Sequence, residues 1–83
     1  MPTLAIVEGV KVQFFFDDHP PPHFHAEIGG EVAQIEIGTL SVLRGGLPPA
    51  KLRTLIAWAE SRRDELLRAW YDAAAGRKPG RME

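Results

Sequence analysis

Cysteine is absent from the 83 residues. That excludes a disulfide framework, a thiolate nucleophile and a Cys-based zinc site. No apolar run approaches the length that spans a bilayer, and Met1 to Val10 lack the basic start and apolar stretch of a signal peptide. A reducing, cytoplasmic setting with no membrane attachment is therefore expected. No glycine-rich phosphate loop follows a strand pattern, and the few hydroxyls (Thr3, Thr39, Ser41, Thr54 and Ser61) have no base beside them. Nucleotide binding by a P-loop and serine hydrolysis are both unsupported. Basic residues are nearly missing from the first half: between Met1 and Leu43, Lys11 stands alone against Glu8, Asp17, Asp18, Glu27, Glu31 and Glu36.

From Arg44 to Glu83 the balance reverses, with nine basic residues against five acids. The net charge of −1 and a pI near 6.3 argue against a strongly nucleic-acid-binding surface. The asymmetry points either to a basic docking face on the second half, for RNA, an acidic partner protein or a second copy of the chain, or simply to solvated helix surfaces.

With 45% apolar and 25% charged residues, the composition is that of a globular chain large enough for one core. A single α+β domain over residues 1–76 with a basic tail at 77–83 is expected. Val10, Val12, Phe14 and Phe16 alternate with polar Lys11 and Gln13, the period of a half-buried strand. Thr3 to Val7 is a short β-branched segment that Glu8-Gly9 can turn back onto it. Asp17 to Pro22 ends in three prolines, which exclude both helix and central strand. Phe24, Ala26 and Ile28 then alternate with His23, His25 and Glu27 up to Gly29-Gly30, a strong two-residue hairpin signal.

Pairing Ile28 with Glu31 makes partner numbers sum to 59, so Phe24 meets Ile35, Ala26 meets Ala33, His25 meets Gln34 and His23 meets Glu36. Apolar faces apolar and polar faces polar, which supports this register independently of the turn. The spacing predicts an antiparallel hairpin of 23–28 with 31–37, and Thr39 to Leu43 can add one more strand. Leu52, Leu55, Ile56 and Ala59 follow helical spacing after Pro48-Pro49, as do Leu66, Leu67, Trp70 and Ala74. Between the two sets the stripe lands on Arg62 and Arg63, and Ser61-x-x-Asp64 resembles a capping box. Two helices are favoured over one bent helix. The expected fold is an antiparallel three- to four-stranded β-meander followed by one or two C-terminal helices packed on one sheet face, with Trp70 in the core. Trp58 is either sheet packing or an interface anchor.

All three histidines fall within seven residues, at His19, His23 and His25. On a strand, His-x-His places both imidazoles on one face about 6–7 Å apart, a spacing that can present two nitrogens to one metal ion. With Asp17 and His19 from the adjoining loop, His23 and His25 form a candidate set for a divalent transition metal bound without thiolate. Glu27 continues the same face. A second reading makes His23, His25 and Glu36 a catalytic group that moves protons in phosphodiester cleavage without metal. A third has His19 and His23 hydrogen-bond backbone groups of the proline loop, whose missing donors leave carbonyls seeking partners. Because Phe24 and Ala26 face the core, the intervening His23 and His25 must face away from it and are expected to be open and free to act.

The opening Met-Pro-Thr, the strand ending in Phe-Phe-Phe-Asp-Asp-His, the segment Pro-Pro-His-Phe-His-Ala-Glu, the Gly-Gly hairpin, the Leu-Pro and the Trp-Ala-Glu helix resemble one family over roughly Met1 to Tyr71. It is the small bacterial family catalogued as domain of unknown function four-one-six-zero. Its signature falls on Asp18, His19, Pro21, Pro22, His23, Phe24 and His25, and Pro20 departs from it, since a polar residue is common there. The resemblance implies a component of a toxin–antitoxin-like gene pair, with a small partner protein encoded nearby. Two functions follow as expectations: an enzyme acting on RNA through the histidine-rich sheet face, or a non-catalytic partner-binding or regulatory module, with or without a metal at the same histidines.

Overall fold

The computed structural model describes residues 3–14 and 19–77. Phe16, Asp17, Asp18 and the segment 78–83, on which some of the expectations above fall, lie outside the described residues. Five strands, β1 (Thr3–Val7), β2 (Val10–Gln13), β3 (His23–Ile28), β4 (Glu31–Glu36) and β5 (Val42–Gly45), form one antiparallel sheet in sequence order. Helices α1 (Pro49–Glu60) and α2 (Arg63–Ala74) follow. The α+β meander is as expected; the strand count is five rather than three to four, because Thr3–Val7 and the segment after Gly38 both pair.

Both tight hairpins use two-residue turns with positive φ at each central position, Glu8 (49°) with Gly9 (83°) and Gly29 (57°) with Gly30 (84°). That geometry matches the right-handed twist of the flanking strands. The β3–β4 register is the one the sequence predicts, with His23 opposite Glu36, Phe24 opposite Ile35 and His25 opposite Gln34. It continues one step further in the bond from the Ile37 N–H to the Pro22 carbonyl, 3.0 Å.

The last strand lies later than Thr39 to Leu43. The chain turns through Ile37–Thr39, Leu40 takes a φ of 59° and its N–H donates to Glu36 O at 2.8 Å. Pairing resumes at Val42 opposite Ile35, while Arg44 lies opposite Gln34 and Gly45 opposite Ala33. One step along β4 is thus matched by two steps along β5, and Leu43 is the extra residue of a β-bulge.

Ala5, Val10, Val12, Phe14, Phe24, Ala26, Ala33 and Ile35 are buried and join one core with Leu55 and Ala59 of α1 and Leu66, Ala69, Trp70 and Ala73 of α2. Leu52, Ile56, Trp58 and Leu67 are half-buried against it. Ala73, not Ala74, completes the α2 stripe, since Ala69 and Trp70 lead to Ala73 at helical spacing. Trp58 packs on the core beneath Arg62, whose guanidinium sits 5.3 Å from the ring centroid. The capping box does not form: Arg62 is the N-cap of α2 without a side-chain cap bond, and the Ser61 hydroxyl instead donates to Trp58 O at the end of α1, 3.1 Å. Asp64 and Glu65 in the first turn of α2 still complement its dipole. The helices are tied to the sheet by Lys51 Nζ donating to Glu8 O (2.8 Å) and Arg63 Nε donating to Ile37 O (3.2 Å).

Candidate functional site

Register alone assigns the face away from the core. Gln13, His25, Gln34 and Arg44 form one row across β2 to β5, and His23 and Glu36 form the next. The strand alternation is as expected, but the exposure is not. His23 and His25 are only 4% and 7% exposed, so they are buried polar residues rather than open ones. Alternation decides which face a side chain takes; it says nothing about what covers that face. Here the loop before β3 folds back, and His23 Nδ1 donates to Pro21 O at 2.8 Å. The loop includes a cis peptide between Pro20 and Pro21.

Trp70 adds the other wall. Its ring lies 5.1 Å from that of His23 and 6.0 Å, edge to face, from Phe14. It therefore closes the end of the sheet where β2 finishes and β3 begins. The His25 ring sits 5.1 Å from His23. The backbone-bonding role read from the sequence holds for His23. Because a carbonyl can only accept, Nδ1 carries a proton, and in the neutral ring the lone pair lies on Nε2. The tautomer is thus set by Pro21, and Nε2 is the atom through which His23 would ligate a metal or exchange a proton.

Beside this pair lies a cleft of about 420 Å³. One wall is the loop, His19, Pro20 and Pro21; His23 and Gln34 form the floor, and Leu43 and Arg44 of β5 complete it. His19, Leu43 and Arg44 are exposed. The bulge explains how two successive residues of one strand line the same cleft. Without Leu43 as an extra residue, Leu43 would take the place opposite Gln34, and Arg44 would oppose Ala33 on the covered face. The insertion instead swings the guanidinium to the histidine side.

Of the residues singled out from sequence, the structure brings His19 and His23 to one cleft and sets His25 against His23. Glu36 is the register partner of His23, with its carboxylate next to Gly38. Asp17 lies outside the described residues, and among the described residues no three His, Asp or Glu side chains converge as a metal-binding group. Gln34 and Arg44 are the additions. Gln34 was legible from the hairpin register; Arg44 was not, since its face depends on the bulge.

Several basic residues of the second half are engaged within the chain. Arg77 pairs with Asp72 at 2.9 Å, Arg62 covers Trp58, and Lys51 and Arg63 hold backbone carbonyls. Among the described residues no helix is long and apolar enough to cross a membrane. No curated protein and no solved structure matches the chain. Residues 9–71, including the proline loop, the histidines, the bulged strand, all of α1 and most of α2, match one family along most of the sequence. The chain belongs to the family described as Domain of unknown function (DUF4160).

Proposed function

We propose that the protein is an RNA-binding module that works through the polar face of its sheet, with a phosphate of a single strand seated on Arg44 in the cleft. The observation that carries this reading is the composition of that cleft: an exposed guanidinium beside His19, His23 and the amide of Gln34. A guanidinium offers a fork of donors to phosphate oxygens, and imidazole and amide groups add hydrogen bonds around it. Binding is favoured over cleavage because His23 and His25 are packed against each other and Trp70, with one nitrogen of His23 committed to the backbone. In a toxin–antitoxin-like pair, a small partner protein would act by covering this cleft.

The test is fluorescence anisotropy of a labelled short single-stranded RNA across a salt series, with the wild type and Arg44→Gln. The wild type should bind at low salt. Loss of one phosphate contact should weaken binding for all sequences alike and lower the log–log salt slope by about 0.7. An Arg44→Gln protein with unchanged affinity and slope would refute this reading. Binding of RNA accompanied by growth arrest when the chain is expressed alone would join it to the toxin-like role.

A further inference from the structure

We infer that the cleft takes a single unstacked nucleotide of that RNA and that Gln34 reads the edge of its base; this rests on the RNA-binding reading above. Three features carry it. First, the cleft is of two kinds. Pro20, Pro21 and Leu43 supply apolar walls, while Arg44 and Gln34 supply polar groups. A nucleotide has the same division, a flat apolar base joined to an anionic phosphate, and single-stranded RNA is read by splaying out such bases against side chains. A volume of about 420 Å³ lies within the roughly 300–1,000 Å³ range of small-ligand sites.

Second, the bulge sets Leu43 and Arg44 side by side on the cleft. An apolar contact next to a guanidinium matches the adjacency of base and phosphate within one nucleotide. Third, among the described residues the surrounding charge does not continue as a basic track. The neighbouring rows of this face carry Glu36 and the Lys11–Glu27 pair, and the whole chain is at −1. Positive charge is concentrated at one point, which suits one phosphate rather than a run of them. Gln34 stands between Arg44 and His25 in the same row, and its amide offers both a donor and an acceptor to a base edge.

The experiment competes labelled RNA from the protein with each of the four nucleoside monophosphates, ribose 5-phosphate and inorganic phosphate. At least one nucleoside monophosphate should displace the strand, and ribose 5-phosphate should be about tenfold weaker or more. The wild-type strand should show a salt slope near 0.7, the value for one phosphate. Gln34→Ala should reduce the spread of affinities among the four nucleotides by about tenfold. Should ribose 5-phosphate compete as well as the nucleotides, or Gln34→Ala leave their ranking intact, with RNA binding still dependent on Arg44, the single-nucleotide inference falls and the RNA-binding reading stands. A slope of several units has the same meaning. If neither RNA nor any nucleotide binds, both fall together.

Discussion

Replacing Gly45 by alanine should damage the protein in a way that its neighbour Gly46 does not share. Gly45 has a φ of 70°, where an L side chain is disfavoured by about 1–2 kcal/mol. A Cβ built there lands on the carbonyl oxygen of Val32 and within 3.1 Å of its carbonyl carbon. Both partners are backbone, so no side chain can swing aside. The same oxygen accepts the Gly46 N–H at 3.2 Å, a bond whose loss costs about 0.5–1.5 kcal/mol. Together these give about 1.5–3.5 kcal/mol. The ceiling is set locally: all four residues of β5 are exposed, so the chain can release the end of this strand from β4 instead of unfolding. At Gly46 a Cβ meets nothing within 4 Å, and Gly46→Ala should be close to neutral. Thermal denaturation should show Gly45→Ala lower by on the order of 10 °C, with faster amide exchange at Gly46. RNA binding should weaken as well, since Arg44 adjoins the distorted residue. Equal melting temperatures for the two variants would refute this account of why β5 needs a glycine there.

Leu55→Ala should cost about 2–5 kcal/mol by chemical denaturation, because Leu55 is fully buried; Ile56→Ala, on a half-buried side chain, should cost clearly less, and equal costs would contradict the placement of α1. Gly29→Asn should raise stability by about 0.4–1 kcal/mol, as asparagine tolerates the φ of 57° and a Cβ there meets nothing within 4 Å. The double variant His23→Ala, His25→Ala should melt well below the wild type, since both rings are buried and packed. His19→Ala, at an exposed position, should leave the melting temperature unchanged while weakening RNA binding, and the reverse pattern would mean that the loop histidine is structural.

The β3–β4 hairpin was readable because two independent devices agree: Gly29-Gly30 demands a primed turn, and the alternation of Phe24, Ala26 and Ile28 against Ala33 and Ile35 permits one register. The strand after it was misplaced for the opposite reason. An extra residue at Leu43 breaks the period of two, so Val42-Leu43-Arg44 shows no alternation to read, and the positive φ of Leu40 carries no signature in a leucine. On the helices, a three-residue difference put Ala73 inward where four would put Ala74. The histidine cluster was legible as a cluster and as one face of a strand. Its burial was not, because the cover comes from a proline loop and from Trp70, some 47 residues beyond His23 in the chain. Arg44 is not legible as a site residue, because its charge groups it with the helices whereas its position is decided by the pairing of β5.

Trp70 touches the core through Phe14 and the cleft floor through His23, and this makes it a natural optical probe. Indole emission is quenched by a nearby imidazolium and shifts when water reaches the ring, so one fluorophore reports two events. A ligand that displaces His23 changes its intensity at constant wavelength; loosening of α2 moves the emission to the red. Trp58, under Arg62 on the other helix, emits as well and has to be removed to isolate this signal. With a Trp58→Phe background, occupancy of the cleft and integrity of the core can be followed separately, in one cuvette and without a label.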